Sequence, residues 1–354
     1  MRKAIGFAVA ASILLLAAGC GDTAQISPTV TAEGEIKQEA SGDTAADASA
    51  VLPSSGNAAV PEAGGVGEGS FYEYEVSYES YETAKTFADY ESVVSAILSI
   101  TGLEETDFRE KVTEVNGREF PEREAVVDGI TYRMEVGMNH FRYSCDCERE
   151  AVDREEAVAM AEEFLDAAGL EVDRNYDVTE PYSGFKCLEY RFLCDGIPMM
   201  GPGSLHFSQD EDEIPLRGSF VQICCVKEGI QEIYVHPLPE IRGKLEAYDP
   251  ETDFITKEKA ADQAWNYKET GYKDFSTEYR LIEIEESRLI YIPYKRNGKA
   301  GTRLIPAYEV KIHTMERKGT EESEQGYCYN VLVDARSGFV LHSDISWDNG
   351  YTEQ

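Results

Sequence analysis

Leu304-Ile-Pro-Ala-Tyr-Glu-Val-Lys-Ile-His313 and, a little further on, Tyr329-Asn-Val-Leu-Val-Asp-Ala-Arg-Ser-Gly-Phe-Val-Leu341 decide how this chain is read. They predict three antiparallel strands, two of them joined across Asp334-Ala-Arg-Ser-Gly338. An aspartate in a turn bonds backbone N–H groups two residues on, and a glycine supplies positive φ. Asp334 and Gly338 are therefore read as turn residues, not as a binding pair.

Working outward, helices precede two strand-rich stretches. Asp153-Arg-Glu-Glu-Ala-Val-Ala-Met-Ala161 is matched 103 positions later by Thr256-Lys-Glu-Lys-Ala-Ala-Asp-Gln-Ala264. Asp153 and Glu156 make a capping pair, and Gly169 and Gly271 are placed to end the two helices. After the first helix, strands are expected at Phe185 to Cys194, Gly203 to Phe207, Phe220 to Val226 and Glu232 to Pro237. After the second they are expected at Tyr279 to Glu285 and Leu289 to Pro293, leading into the terminal hairpin. An earlier region opens with Phe71-Tyr-Glu-Tyr-Glu-Val76, then a helix over Thr83 to Ile100. Strands at Lys111 to Val115, Ala125 to Val127, Ile130 to Val136 and His140 to Cys145 follow, with a hairpin at Asp128-Gly129. A lone meander must cover one face to be stable. The expected fold is therefore α+β, with tandem helix-on-antiparallel-sheet units after a leader and tether.

The first twenty residues set the expected location. Arg2 and Lys3 precede an apolar run from Ala4 to Ala18, shorter than the roughly 20 residues a spanning helix needs. The run ends at Leu16-Ala-Ala-Gly-Cys20, which resembles the lipobox of bacterial lipoproteins, with Ala17 where that family usually has leucine. The resemblance implies cleavage before Cys20 and lipidation of Cys20, hence an extracytoplasmic protein on the outer face of the cytoplasmic membrane of a Gram-positive type of envelope. From Gly21 to about Ser70 there is no aromatic residue, and the composition cannot offset its ordering entropy. As a flexible tether of that length it would span about 40 Å. The expected organisation is residues 1–19 as signal peptide, 20–70 as lipidated cysteine and disordered tether, and 71–150 as an N-terminal α+β region. The two helix–meander units follow at 151–250 and 251–354.

Lys259-Ala-Ala-Asp-Gln-Ala264, Tyr308-Glu-Val310 and Val333-Asp-Ala-Arg-Ser-Gly-Phe-Val340 resemble the PepSY module of secreted bacterial proteins, with Ser337 in place of threonine. The region from Ala151 to Asp344, with Pro306-Ala-Tyr308 before the last hairpin, is also similar to the extracytoplasmic YycH/YycI regulators. That resemblance implies restraint of a sensor kinase. Those regulators are held by a transmembrane helix, whereas this chain has a lipobox.

Composition excludes more chemistry than it supports. A net charge of −34 repels phosphate backbones, so no nucleic acid is expected as partner. It also opposes adsorption to anionic lipid, leaving the acyl anchor to hold the chain. Asp210-Glu-Asp-Glu213 lacks the alternating ligands and glycine of a calcium loop. His140, His206, His236, His313 and His342 are too widely spaced for a helical metal face. Gly201-Pro-Gly-Ser204 is no nucleophile elbow, and Gly201 and Gly203 are read as marking a loop or bulge. Apart from Cys20, the seven cysteines are odd in number, and neither Cys145-x-Cys147 nor Cys224-Cys225 has zinc-ligand spacing. If Leu188, Tyr190, Phe192 and Cys194 share a buried face, Cys187 points the other way and does not bridge to Cys194. No catalytic residue, cofactor or metal is expected. The expected function is a non-catalytic interaction or regulatory role on an envelope protein such as a sensor kinase or protease. Binding of a solute, glycan or cation in a cleft between units is the alternative.

Overall fold

The computed structural model describes residues 71–77, 85–115, 117–148, 150–179, 186–202, 204–205, 216–271, 277–285, 287–295, 301–320 and 325–347. The expected leader, Cys20, the tether and the acidic run at 210–213 lie outside these residues.

The strands in chain order are β1 (Phe71–Ser77), β2 (Arg109–Val115), β3 (Arg118–Val127), β4 (Ile130–Val136), β5 (Phe141–Cys145), β6 (Val172–Thr179), β7 (Lys186–Cys194), β8 (Ile197–Pro198) and β9 (Ser204–Leu205). They continue as β10 (Leu216–Arg217), β11 (Phe220–Val226), β12 (Gly229–His236), β13 (Glu240–Tyr248), β14 (Thr277–Ile284), β15 (Arg288–Tyr294), β16 (Thr302–Lys318), β17 (Gln325–Asp334) and β18 (Val340–Trp347). The helices are α1 (Glu91–Thr101), α2 (Arg154–Ala168), the single turn α3 (Pro250–Asp253) and α4 (Lys257–Gly271).

The expected α+β arrangement of tandem units is corrected. Among the described residues the protein is β-rich, with 56% of them in strands, and apart from the short β9–β10 pair the strands form two large antiparallel sheets. One has nine strands in the order β2-β3-β4-β5-β12-β11-β7-β6, with β8 against β7. The other has seven, and β16 is its hub. β15 and β14 lie along one edge of β16, while β1 and β17 share the other. The physical reason for the correction is that neither meander is closed on itself. β1, from the N-terminal region, pairs with both β13 and β16, so strands from all three expected regions complete one sheet.

Local chemistry explains the element ends. Asp153 accepts a hydrogen bond from the Glu156 N–H at 2.8 Å, capping α2, and Gly169 ends it with φ of +62°. Asp128 and Gly129 take φ of +52° and +86°, the geometry of a tight hairpin between β3 and β4. The helix expected from Thr83 instead begins later, as a 3-10 turn at Phe87–Tyr90 running into α1.

Both sheets carry apolar faces that need cover. Ala157, Ala161, Phe164, Leu165 and Ala168 of α2 pack into a core with Leu188, Tyr190, Val221 and Ile223 of the nine-stranded sheet. Burying Phe164 and Leu165 contributes roughly 1.5–3 kcal/mol each. Ala260 and Ala264 of α4 pack on Tyr308, Val310, Ile312, Tyr329 and Val331 of the seven-stranded sheet. Small residues on these helices let them lie close to the sheets.

Candidate functional site

The period of two that turns Tyr308, Val310 and Ile312 toward α4 turns Glu309 and Lys311 the other way. On β7 the same alternation buries Leu188, Tyr190 and Phe192 in the α2 core and turns Arg191 to the opposite face. These two opposite faces meet, so charged residues from different sheets come together. Arg191 donates to Glu309 through Nη1 at 2.7 Å and Nη2 at 3.1 Å, with both side chains almost wholly buried. Arg288 of β15 adds Nε at 3.1 Å and Nη2 at 2.9 Å, and Asn330 of β17 donates at 2.9 Å. Asp177 of β6 takes Lys311 at 2.9 Å, Arg191 at 3.1 Å and Arg288 at 3.4 Å.

Three cations thus enclose two carboxylates, as burial requires. Burial alone pushes the Glu309 carboxyl up, but Arg191 and Arg288 outweigh it and hold the group at about 2. Burial also acts upward on Asp177, and Lys311, Arg191 and Arg288 together hold it well below the usual carboxylate range. The next side chain on that face of β7, Glu189, goes the other way. Its burial raises it, and the 2.8 Å hydrogen bond from Gln222 only partly compensates. Gly201 lies against the other side of Arg191, where a Cβ would stand 3.0 Å from Nε. At neutral pH Glu309 and Asp177 are ionised and already hydrogen-bonded, so neither is poised to move a proton. The cluster clamps one sheet to the other.

A second contact joins the sheets near the end of β7. Tyr74 of β1 donates its hydroxyl to Asp195, which also takes Lys244 of β13 at 2.7 Å. Lys244 lies over the Tyr72 ring at 4.1 Å. The tyrosine-rich first strand is therefore built into the body, with Tyr74 buried.

The other candidate feature is a strand edge. Among the described residues no strand pairs with the outer edge of β2, and its seven residues pair with β3 without a register shift. The terminal strands β6, β13 and β18 all carry bulges or irregularities, which blunt an edge. Val112 of β2 and Val126 of β3 are 62% and 65% exposed, large values for valine in a sheet.

The residues singled out in the sequence fall in separate places. His140 stacks on Tyr234 at 4.9 Å, Tyr234 on Phe220 at 5.7 Å, and Phe220 on His236 at 5.8 Å, forming a ladder of four rings. His313 meets Glu285 at 3.1 Å, His342 is on β18, and His206 lies outside the described residues. Among the described residues no three metal-binding side chains converge. Asp334 accepts from the N–H groups of Arg336 and Ser337 at 2.9 and 2.7 Å, and Gly338 has φ of +75°. Cys187 pairs with Cys224 across β7 and β11, while Cys194 is buried on the other face as a thiol. Among the described residues no helix is long and apolar enough to cross a membrane.

No known family profile and no curated protein matches the chain. Among solved structures, an uncharacterized protein from Eubacterium rectale is similar, with a TM-score of 0.56 and 11% sequence identity. The likeness covers 77% of this chain and 86% of that one, and at this identity it shows the fold alone.

Proposed function

We propose that this chain is a lipid-anchored extracytoplasmic interaction module, non-catalytic, that engages an envelope protein such as a sensor kinase or protease by strand addition at β2. One observation carries the docking mode. β2 offers a regular, seven-residue, unpaired edge among the described residues, beside terminal strands whose pairing is broken by bulges. An extended segment laid on such an edge gains a ladder of main-chain hydrogen bonds, and alternate side chains supply selectivity. Exposed Val112 would give that segment apolar contact on one face of the sheet. The net charge of −34 favours a segment rich in lysine and arginine. The buried charge cluster supports the non-catalytic part of the reading, since its acids are already saturated by cations.

A photocrosslinking residue at Glu110 or Glu114, in the full-length chain on its own membrane, tests this. The expected result is one envelope-protein adduct from either position, absent when the same residue replaces His342 on β18. Val112→Pro, which removes one outward-facing ladder N–H, should abolish the adduct. Adducts unaffected by the proline, or equal yields from both sheets, would overturn strand addition. Substrate turnover by the purified body would overturn the non-catalytic reading.

A further inference from the structure

Four cysteines from distant parts of the sequence gather on the nine-stranded sheet. Cys187 and Cys224 are direct register partners on β7 and β11, with Cα atoms 4.0 Å apart, and are joined as a disulfide. Together with Val226 they form a small buried cluster of their own, on the face opposite α2. Cys147, just beyond β5, packs against that cluster. The Sγ of Cys145 lies 2.7 Å from the Sγ of Cys147, and both residues are thiols and only part-buried. Gln231 of β12 holds the Cys147 carbonyl at 3.3 Å, which fixes the segment beside the disulfide.

The other thiols are placed differently. Cys194 and Cys225 are buried, and Cys225 points at the Ala157 carbonyl under α2 with its thiol pushed up to about 12 by burial. Cys328 is on β17 of the other sheet. Among the described residues only Cys145 and Cys147 are a close-set, part-exposed pair, and of the two Cys147 is in contact with the disulfide cluster.

We propose that these four residues form a thiol–disulfide exchange site, in which the Cys145/Cys147 dithiol and the Cys187–Cys224 disulfide interconvert. The attacking group is the Cys147 thiolate, the member of the pair that touches the disulfide cluster. Its sulfur bonds to Cys187 or Cys224, the S–S bond between those two breaks, and the departing thiolate takes up the proton Cys147 released. Cys145 then loses its proton and attacks the Cys147 sulfur. This closes the Cys145–Cys147 disulfide and frees the second thiolate, which is protonated. Two electrons and two protons pass from one pair to the other, and no outside oxidant is needed. Burial, followed by the neighbouring Cys147 thiol, pushes Cys145 up to about 12, consistent with its acting second. The exchange moves a covalent cross-link from between β7 and β11 to the end of β5.

The test is disulfide mapping of the whole purified chain, prepared without added thiol, alkylated while folded, quenched in acid and digested. Wild type is expected to yield both 187–224 and 145–147 linked peptides, with the fraction of one falling as the other rises. Cys145→Ser removes the resolving thiol and is expected to accumulate a Cys147–Cys187 or Cys147–Cys224 mixed disulfide. Cys147→Ser is expected to yield only the 187–224 link. Circular dichroism of both variants checks that they are folded. The proposal is overturned if folded C145S gives no mixed disulfide. It is overturned equally if every wild-type molecule with a 145–147 link also keeps the 187–224 link.

Discussion

Arg191 grips both carboxylate oxygens of Glu309, at 2.7 and 3.1 Å, and in doing so bonds β7 of one sheet to β16 of the other. Both side chains are 5% exposed or less, so neither can turn to water if its partner is removed. Glu309→Ala leaves Arg191 buried without its main counter-ion, and the expected loss is about 3–5 kcal/mol. Urea denaturation of the variant and the wild type measures it. A loss below about 1 kcal/mol would show that the sheets are not held here.

Acid should weaken the same clamp. Glu309 has its folded pKa depressed from 4.5 to about 2, and Asp177 is also depressed. Such groups contribute stability that is fully present above their unfolded pKa and is lost as pH falls through the folded value. The contribution of Glu309 is therefore expected intact at pH 6 and lost progressively from about 4.5 toward 2. Glu309→Gln should flatten the stability profile over that window, read by denaturation at stepped pH.

The ring ladder adds a second pH dependence at milder acidity. Burial, and then Arg217, hold His140 at about 4 and His236 at about 3, both below the ordinary 6.5. The unfolded chain binds these protons first, so stability should begin to fall below about pH 6.5. Replacing His140 with Gln should remove part of the slope between pH 6.5 and 4, measured by the midpoint of thermal unfolding. An unchanged slope would mean that His140 titrates alike in both states.

Cys187 and Cys224 close a loop of 37 residues, for which chain entropy predicts a contribution of about 4 kcal/mol. The double substitution to alanine should lower the denaturation midpoint by a corresponding amount. Reduction of the wild type should mimic it. No change on reduction would indicate that the reduced chain is equally well ordered.

Gly218 is tight for a different reason. A Cβ there would stand 2.0 Å from the Gly201 carbonyl oxygen and 2.2 Å from that of Met200. Backbone cannot swing aside as a side chain does, so Gly218→Ala is expected to cost about 1–3 kcal/mol. The shift should appear in thermal unfolding. Near-neutral behaviour would mean that the loop at 200–201 moves freely.

The strands were easiest to read where apolar residues alternate and turns are marked. Phe220–Val226, the Asp128-Gly129 hairpin and the α2 cap all stand where their residues predicted. β6 and β13 were not legible. Val-Asp-Arg-Asn-Tyr-Asp-Val-Thr is polar along most of its length, and β13 buries only Tyr248. Both are held by pairing with neighbours, which single-strand periodicity does not report. Their omission also concealed how the sheets close, because β13 joins the C-terminal sheet only through β1, which pairs directly with β16. The charge cluster was hidden for a related reason. Charges alternating with apolar residues on Glu189–Phe192 and on Tyr308–Ile312 have the pattern of a water-facing sheet surface. Only when two such faces meet do Arg191 and Glu309 become buried partners, and no spacing within either strand records that meeting. The cysteine pairing was closed to the sequence likewise, since Cys187 and Cys224 are brought together by strand order.

The dependence of four strands on β16 sets a timetable for synthesis. β1 emerges early, yet it needs Thr302 to Leu304, and Glu73 waits for Arg303, 230 positions later. Until then Phe71, Tyr74 and Val76 have no finished sheet in which to hide. Contacts so far apart are slow to form, and an unsealed apolar strand invites association with other chains. A ribosome stalled before residue 302 should therefore hold a sticky nascent chain, and one released beyond residue 334 a chain able to seal itself.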